Sequence, residues 1–150
     1  MPDEAFELAL RALGQRERSC AELEAWLRGR GVEDDEIGAT LARLEDLGQL
    51  DDARFARRYA EDKRELAGWG AERIRDSLLE RGVPPEHIEA AVAADGAPQQ
   101  VERAIRLLAR RGGSLDSETG RARALGHLTR KGYSYEIAHE AIRSYERSSG

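Results

Sequence analysis

Apolar residues recur along this chain with the period of a helix, and glycines cut the pattern into blocks. Phe6, Leu10 and Leu13 stand at i, i+4 and i+7, as do Val101, Ile105 and Leu108, so each set predicts one apolar stripe on a helix. Phe55 and Tyr59 play the same part midway, with Leu66 further along. The glycines are themselves periodic. Arg30-Gly31-Val32, Arg81-Gly82-Val83 and Lys131-Gly132-Tyr133 recur at intervals of 51 and 50 residues. A leucine precedes each glycine by four positions (Leu27, Leu78, Leu128), and an aliphatic follows each by ten (Leu41, Val92, Ile142). Six positions after the glycine come Ile37, Ile88 and, in the third copy, Ala138, with Ile137 one place early.

This is the signature of a helix–turn–helix repeated three times. Glycine just past a helix takes the left-handed conformation without a Cβ penalty, and the basic residue before it lies at the negative end of the helix dipole. The next helix is then expected within about three residues. Other start signals agree. Ser19-Cys20-Ala21-Glu22 reads as a capping box. Asp51 reads as an N-cap, with Leu50 and Phe55 placed to staple across it. Pro84-Pro85 suits the first turn of the helix carrying Ile88 and Val92. The expectation is an all-α chain of nine helices in three triplets, 1–49, 50–96 and 97–150. Short breaks at Gly48, Gly68-Trp69-Gly70, Asp95-Gly96-Ala97-Pro98 and Gly112-Gly113-Ser114 leave no room for a flexible linker. Each triplet buries little alone, so the units should stack into an elongated, gently curved array.

Composition sharpens this picture. Only four Val, six Ile and three Thr are present among 150 residues, while charged side chains make up 35%. The net charge of −5 is unevenly spread: −8 over residues 1–53, −1 over 54–100 and +4 over 101–150. A protein living by nonspecific affinity for naked DNA is usually basic overall, whereas this one suits a partner with surfaces of both signs. One cysteine, an acidic start and no long apolar run point to a soluble, cytoplasmic protein.

No catalytic constellation emerges. Cys20 has no histidine near it and reads as a plain small residue. His127 and His139 lack partners at metal-ligand spacing, and Asp51-Asp52 sits where capping is the simpler role. Neither metal nor cofactor is expected. The basic residues are better candidates for contacting a partner or DNA. Between Val101 and Lys131 there are eight basic and three acidic side chains, and Arg110, Arg111, Arg121, Arg123, Arg130 and Lys131 surround the middle helix of the third triplet. Arg30 and Arg81 join the candidates, although dipole matching accounts for them singly. Arg57, Arg58, Lys63 and Arg64 are interleaved with Glu61, Asp62 and Glu65, so pairing along one helix surface is expected there. Trp26 falls on an apolar stripe, while Trp69, between glycines, is the candidate for a partner contact or for packing between units.

Several of these strings resemble the RecX family of bacterial regulators. Arg16-Glu17-Arg18-Ser19 with Glu22-Leu23 is similar to its opening motif, and Leu50-Asp51-Asp52 with Arg54-Phe55-Ala56 to its central one. Gly70, Ile74, Leu78 and Gly82 follow at family spacing, and Leu128, Lys131-Gly132-Tyr133-Ser134-Tyr135 and Ile137 resemble the C-terminal motif. Lys131 and Tyr133 stand where the family more often has Arg and Phe, and the stretch from Gly112 to Gly120 matches poorly. The resemblance implies a non-enzymatic protein that binds the filament of a RecA-type recombinase on single-stranded DNA. It implies limits on filament growth, strand exchange, ATP hydrolysis and assisted repressor cleavage, and so a place in recombination, DNA repair and the SOS response. Weak direct DNA contact fits it; a membrane or a small-molecule substrate does not. A helix–turn–helix DNA binder and a helical adaptor for another protein are the rival readings of the residues alone.

Overall fold

A computed structural model describes residues 2–149, with side chains from Glu4 to Ser148. Among the described residues there are nine helices and no strand: α1 (Pro2–Gln15), α2 (Cys20–Gly29), α3 (Asp34–Asp46), α4 (Asp52–Ala67), α5 (Ala71–Glu80), α6 (Pro85–Ala93), α7 (Ala97–Arg111), α8 (Glu118–Arg130) and α9 (Tyr135–Ser149). The fold is an all-α helical repeat. The three repeated glycines close the same turn each time. Gly31, Gly82 and Gly132 have φ of 84°, 77° and 104°. The amide after each donates back to the buried leucine carbonyl four residues before the glycine: Val32 to Leu27, Val83 to Leu78 and Tyr133 to Leu128, all at 3.1 Å. The glycine amide itself bonds one carbonyl further on, to Arg28, Leu79 and Thr129. This paired bonding is the Schellman motif, and it fixes both the leucine and the glycine of the repeat.

The caps form largely as expected. Ser19 and Glu22 make the capping box of α2, Asp51 accepts from the Arg54 amide at the start of α4, and Pro85 opens α6. That bond to the Arg54 amide chiefly holds the Asp51 carboxyl below the usual carboxylate range. Asp52 acts across units instead. Its Oδ1 accepts from the Cys20 amide at 2.8 Å and so caps α2 from the next unit. Leu50 and Phe55 line one small hollow across Asp51. Leu50 buries in the core of α1–α3, while Phe55 belongs to the core of α4–α6. Ser117, which the hydrophobic pattern does not announce, caps α8 by accepting from the Gly120 amide.

Each triplet closes on its own apolar core. Leu23, Leu27, Ile37 and Leu44 fill the first, Phe55, Ile74, Leu78 and Ile88 the second, and Leu107, Leu128, Tyr133 and Ile142 the third. Two sequence stripes are displaced. The buried face of α1 is Ala5, Ala9 and Ala12, with Leu10 left 38% exposed, because small residues let α2 and α3 approach closely. Leu66 is 85% exposed and belongs to no core. In the third copy Ala138, fully buried, keeps the register of the repeat despite the early Ile137. The chain exposes 8900 Å², against about 7,600 Å² for a compact globular protein of this mass, so the array is extended.

The units meet through polar joints. At the first, Ser19 is fully buried and its hydroxyl, already accepting from the Glu22 amide, donates to the Arg81 carbonyl at 2.6 Å. Arg81 adds an ion pair to Glu22 at 2.8 Å, and Arg58 pairs with Glu17 at 2.7 Å. A Cβ on Gly82 would strike Ala21. The second joint repeats this logic more fully. The Gly70 and Glu72 amides, at the start of α5, donate to the Lys131 and Gly132 carbonyls at 2.8 and 3.0 Å. Lys131 and Gly132 thus cap α5 from the neighbouring unit, the Arg130 carbonyl accepts from Arg73 Nη1, and a Cβ on Gly132 would strike Arg73. Lys131 Nζ and the Tyr133 hydroxyl donate in return to the carbonyls of Ala67 and Gly68, which end α4. Beneath them Asp95 receives both Nη atoms of Arg103 at 3.0 and 2.7 Å, lies 3.5 Å from Arg64 Nε, and is 4% exposed at its side chain. Arg103 Nε completes the network on the Tyr133 hydroxyl.

Two stability measurements check these roles. Gly31 has open space around its missing Cβ, so Gly31→Ala should cost only the left-handed backbone strain, about 1–2 kcal/mol. Gly82→Ala and Gly132→Ala should each cost clearly more in chemical denaturation, because they also push units apart; equal losses at all three would remove the second role of these glycines. Asp95→Ala should cost about 3–5 kcal/mol, since it leaves Arg64 and Arg103 buried without their shared carboxylate.

Candidate functional site

The face of α7 carries a row that begins in the joint and ends in solvent. Gln99, Arg103, Arg106 and Arg110 stand at i, i+4, i+7 and i+11, so they stack along one side of the helix. The C-terminal part of α4, with Arg64 and Glu65 to Gly68, faces this row, and His127 and Lys131 of the third unit's turn close one end. Between them opens a cleft of about 840 Å³. Six arginines and lysines line it (Arg64, Arg103, Arg106, Arg110, Arg111, Lys131) against two carboxylates, Glu65 and Asp95. Asp95 is already engaged by Arg64 and Arg103 on the floor. Excess positive charge is therefore left at the mouth, and Arg106 and Arg110 make no hydrogen bond or ion pair among the described residues.

Titration behaviour follows from this crowding. His127 sits below the usual histidine range, first because it is partly buried and then because Arg111, Lys131 and Arg130 repel its proton. Burial likewise lowers the Arg64 guanidinium; Asp95 opposes the shift and Arg103 adds to it. Arg64 Nε is buried with no hydrogen-bond partner. The first unit behaves differently. Burial pushes the Cys20 thiol up to about 12, with the carboxylates of Asp52 and Glu45 adding to it, so the helix start at which it lies does not make it a thiolate.

The structure divides the basic candidates. Arg110, Arg111 and Lys131 line the cleft. Arg123 and Arg130 stand four residues before and three after His127 on α8, and therefore flank the same side. Arg121 does not: it faces a second hollow, with Leu115 and Tyr145, and donates to the Leu115 carbonyl at 2.9 Å. Arg81 is spent in the first joint, over the Tyr59 ring and paired with Glu22. Arg30 is exposed and lies over the Trp26 ring, 4.4 Å from its centroid. Trp69 is half-buried against the second core, between Lys63 and Arg73 at 4.8 and 4.2 Å. Pairing along α4 is corrected too. Arg58 and Arg64 find their acids in neighbouring elements, Glu17 and Asp95, and Lys63 finds rings.

The hydrophobic pattern alone did not single out Arg106 or the Arg64–Asp95–Arg103 floor, because the apolar stripe dominates α7. The i, i+4, i+7, i+11 row opposite that stripe is the signal that reveals them. No group of three or more His, Cys, Asp or Glu side chains among the described residues is placed to hold a metal, and no described helix is long and apolar enough to cross a membrane.

Comparison with known proteins matches this architecture unit by unit. A family model for the first three-helix domain of RecX covers residues 5–44, and one for the second covers 51–92. The regulatory protein RecX of Mycolicibacterium vanbaalenii is 35% identical over 149 residues, spanning 93% of this chain and 81% of the relative. That of Mycobacterium avium is 34% identical, over 93% and 83%. The crystal structure of RecX from Lactobacillus salivarius superposes with a TM-score of 0.87 at 26% identity, covering 97% of this chain and 96% of that one. With its first two units matched by the family's own domains and nearly its whole length by relatives of the same name, the chain belongs to the RecX family of regulatory proteins.

Proposed function

We propose that this chain binds the filament of a RecA-type recombinase on single-stranded DNA and restrains its growth, strand exchange and ATP hydrolysis, without chemistry of its own. The observation that carries the reading is the charge polarity of a stiffly jointed array: −8 over the first 53 residues and, in the last third, a basic cleft. A nucleoprotein filament offers both protein and phosphate surfaces, repeated along its length. An extended array is suited to lie across several subunits at once. In this orientation the acidic first unit meets basic protein surface, and the third unit faces the strand.

The helix–turn–helix alternative is less well supported by the same structure. The third helix of each unit stands where a recognition helix would, yet α3 opens with Asp34, Asp35 and Glu36, α6 with Glu86 and α9 with Glu136. Carboxylates there would repel duplex phosphates.

The test uses the recombinase of the same organism. Its single-stranded-DNA-dependent ATP hydrolysis and its strand exchange are followed while the chain is titrated in. Inhibition well below one chain per recombinase monomer is the expected result. No effect on either activity, with no binding to the assembled filament, would return the chain to the adaptor reading.

A further inference from the structure

We infer that the cleft between α4 and α7 is a site for the phosphate backbone of a single nucleic-acid strand, gripped by Arg106 and Arg110. The site rests on the filament reading, whose strand-facing surface it names, and it is testable without any recombinase. Four features support it. The two arginines stand one helical turn apart, roughly 6 Å along the axis, on a rigid helix rather than a loop. Neither is committed to a partner in the fold, so their planar forks are available for bidentate contact with phosphate oxygens.

The charge of the cleft also favours a strand over the competing ligands. The lining is mixed, with Leu66 and Leu107 beside the charged Arg64–Asp95–Arg103 network, so an anionic backbone answers its excess of cations where an apolar protein segment would leave that charge unanswered. A duplex is stiff, whereas a single strand can bend so that successive phosphates follow Arg106 and Arg110 into the cleft. Finally, Leu66 stands 85% exposed on the α4 rim, offering an apolar face to a base that is not stacked on a complement.

His127 supplies an internal reporter. It lies in the cleft and faces Arg111 of α7, Arg130 and Lys131 at the end of its own helix, and the rim of α4 with Glu65; α9 places no residue there. Burial first, and then these cations, lower its affinity for a proton in the free chain. A bound phosphate would offset them, raise its affinity for a proton, and so make binding take up a proton. The sign follows: strand affinity rises as pH falls through the ordinary histidine range and levels off once the free chain's lowered histidine is itself protonated.

The experiment measures fluorescence anisotropy of a labelled oligothymidylate with the free chain, over salt and pH. Arg106→Ala with Arg110→Ala should weaken binding about tenfold or more and reduce the slope of log K against log salt by about 1.4. Arg11→Ala with Arg57→Ala removes the same charge from exposed positions elsewhere and should change neither. Wild-type affinity should climb several-fold from about pH 7 to about pH 5, and His127→Gln should flatten that climb. Unaltered binding by a folded Arg106/Arg110 variant overturns the site, as does equal affinity for a labelled polyglutamate or for a duplex of the same length. Because no recombinase is present, such a failure leaves the filament reading standing on its own assay.

Discussion

The left-handed glycine turn constrains everything else in this molecule. Once Gly31, Gly82 or Gly132 adopts positive φ, the helix before it must end, and its last carbonyls turn toward a neighbour. In the second and third units that neighbour is the N-terminus of the middle helix one unit earlier, whose free amides and hydroxyl need acceptors. A Cβ on Gly82 or Gly132 would hold the two apart. The same residue therefore terminates a helix and admits the adjoining unit, which is why glycine and its flanking leucine repeat while most surrounding residues vary.

The local events were legible in the sequence because their causes are local. Schellman turns, the Ser19 capping box and the proline start of α6 depend on residues within six positions of one another, and one chain displays them. What the sequence concealed are pairings across units. Asp52 looked like a partner for its own helix and caps α2; Arg64 looked like a surface charge and lies buried against Asp95. Leu66 and Leu10 followed the helical period without being buried, since period locates a face but not the neighbour it needs. The alanine face of α1 was obscured for the opposite reason: small residues carry little hydrophobic signal although they permit the closest packing.

The candidate site lies on that same divide. The arginines near the end of α7 were visible as a cluster, but which of them share a surface depends on how the third unit sits on the second. The joint brings Arg110, Arg111 and Lys131 together and sends Arg121 elsewhere. The cleft is thus a property of the joint as much as of its side chains. Its floor, with one carboxylate between two guanidiniums, is both the mechanical support and part of the electrostatic field.

Directional joints have a geometric consequence. Apolar cores tolerate small rotations, whereas a bidentate pair such as Arg103–Asp95 and amide–carbonyl bonds such as Gly70–Lys131 fix an angle. The pitch of the array is set by a few residues that lie away from its outer faces. Substitutions at those residues would retune the pitch of the array while leaving its outer faces unchanged, so pitch and surface chemistry can evolve as separate traits.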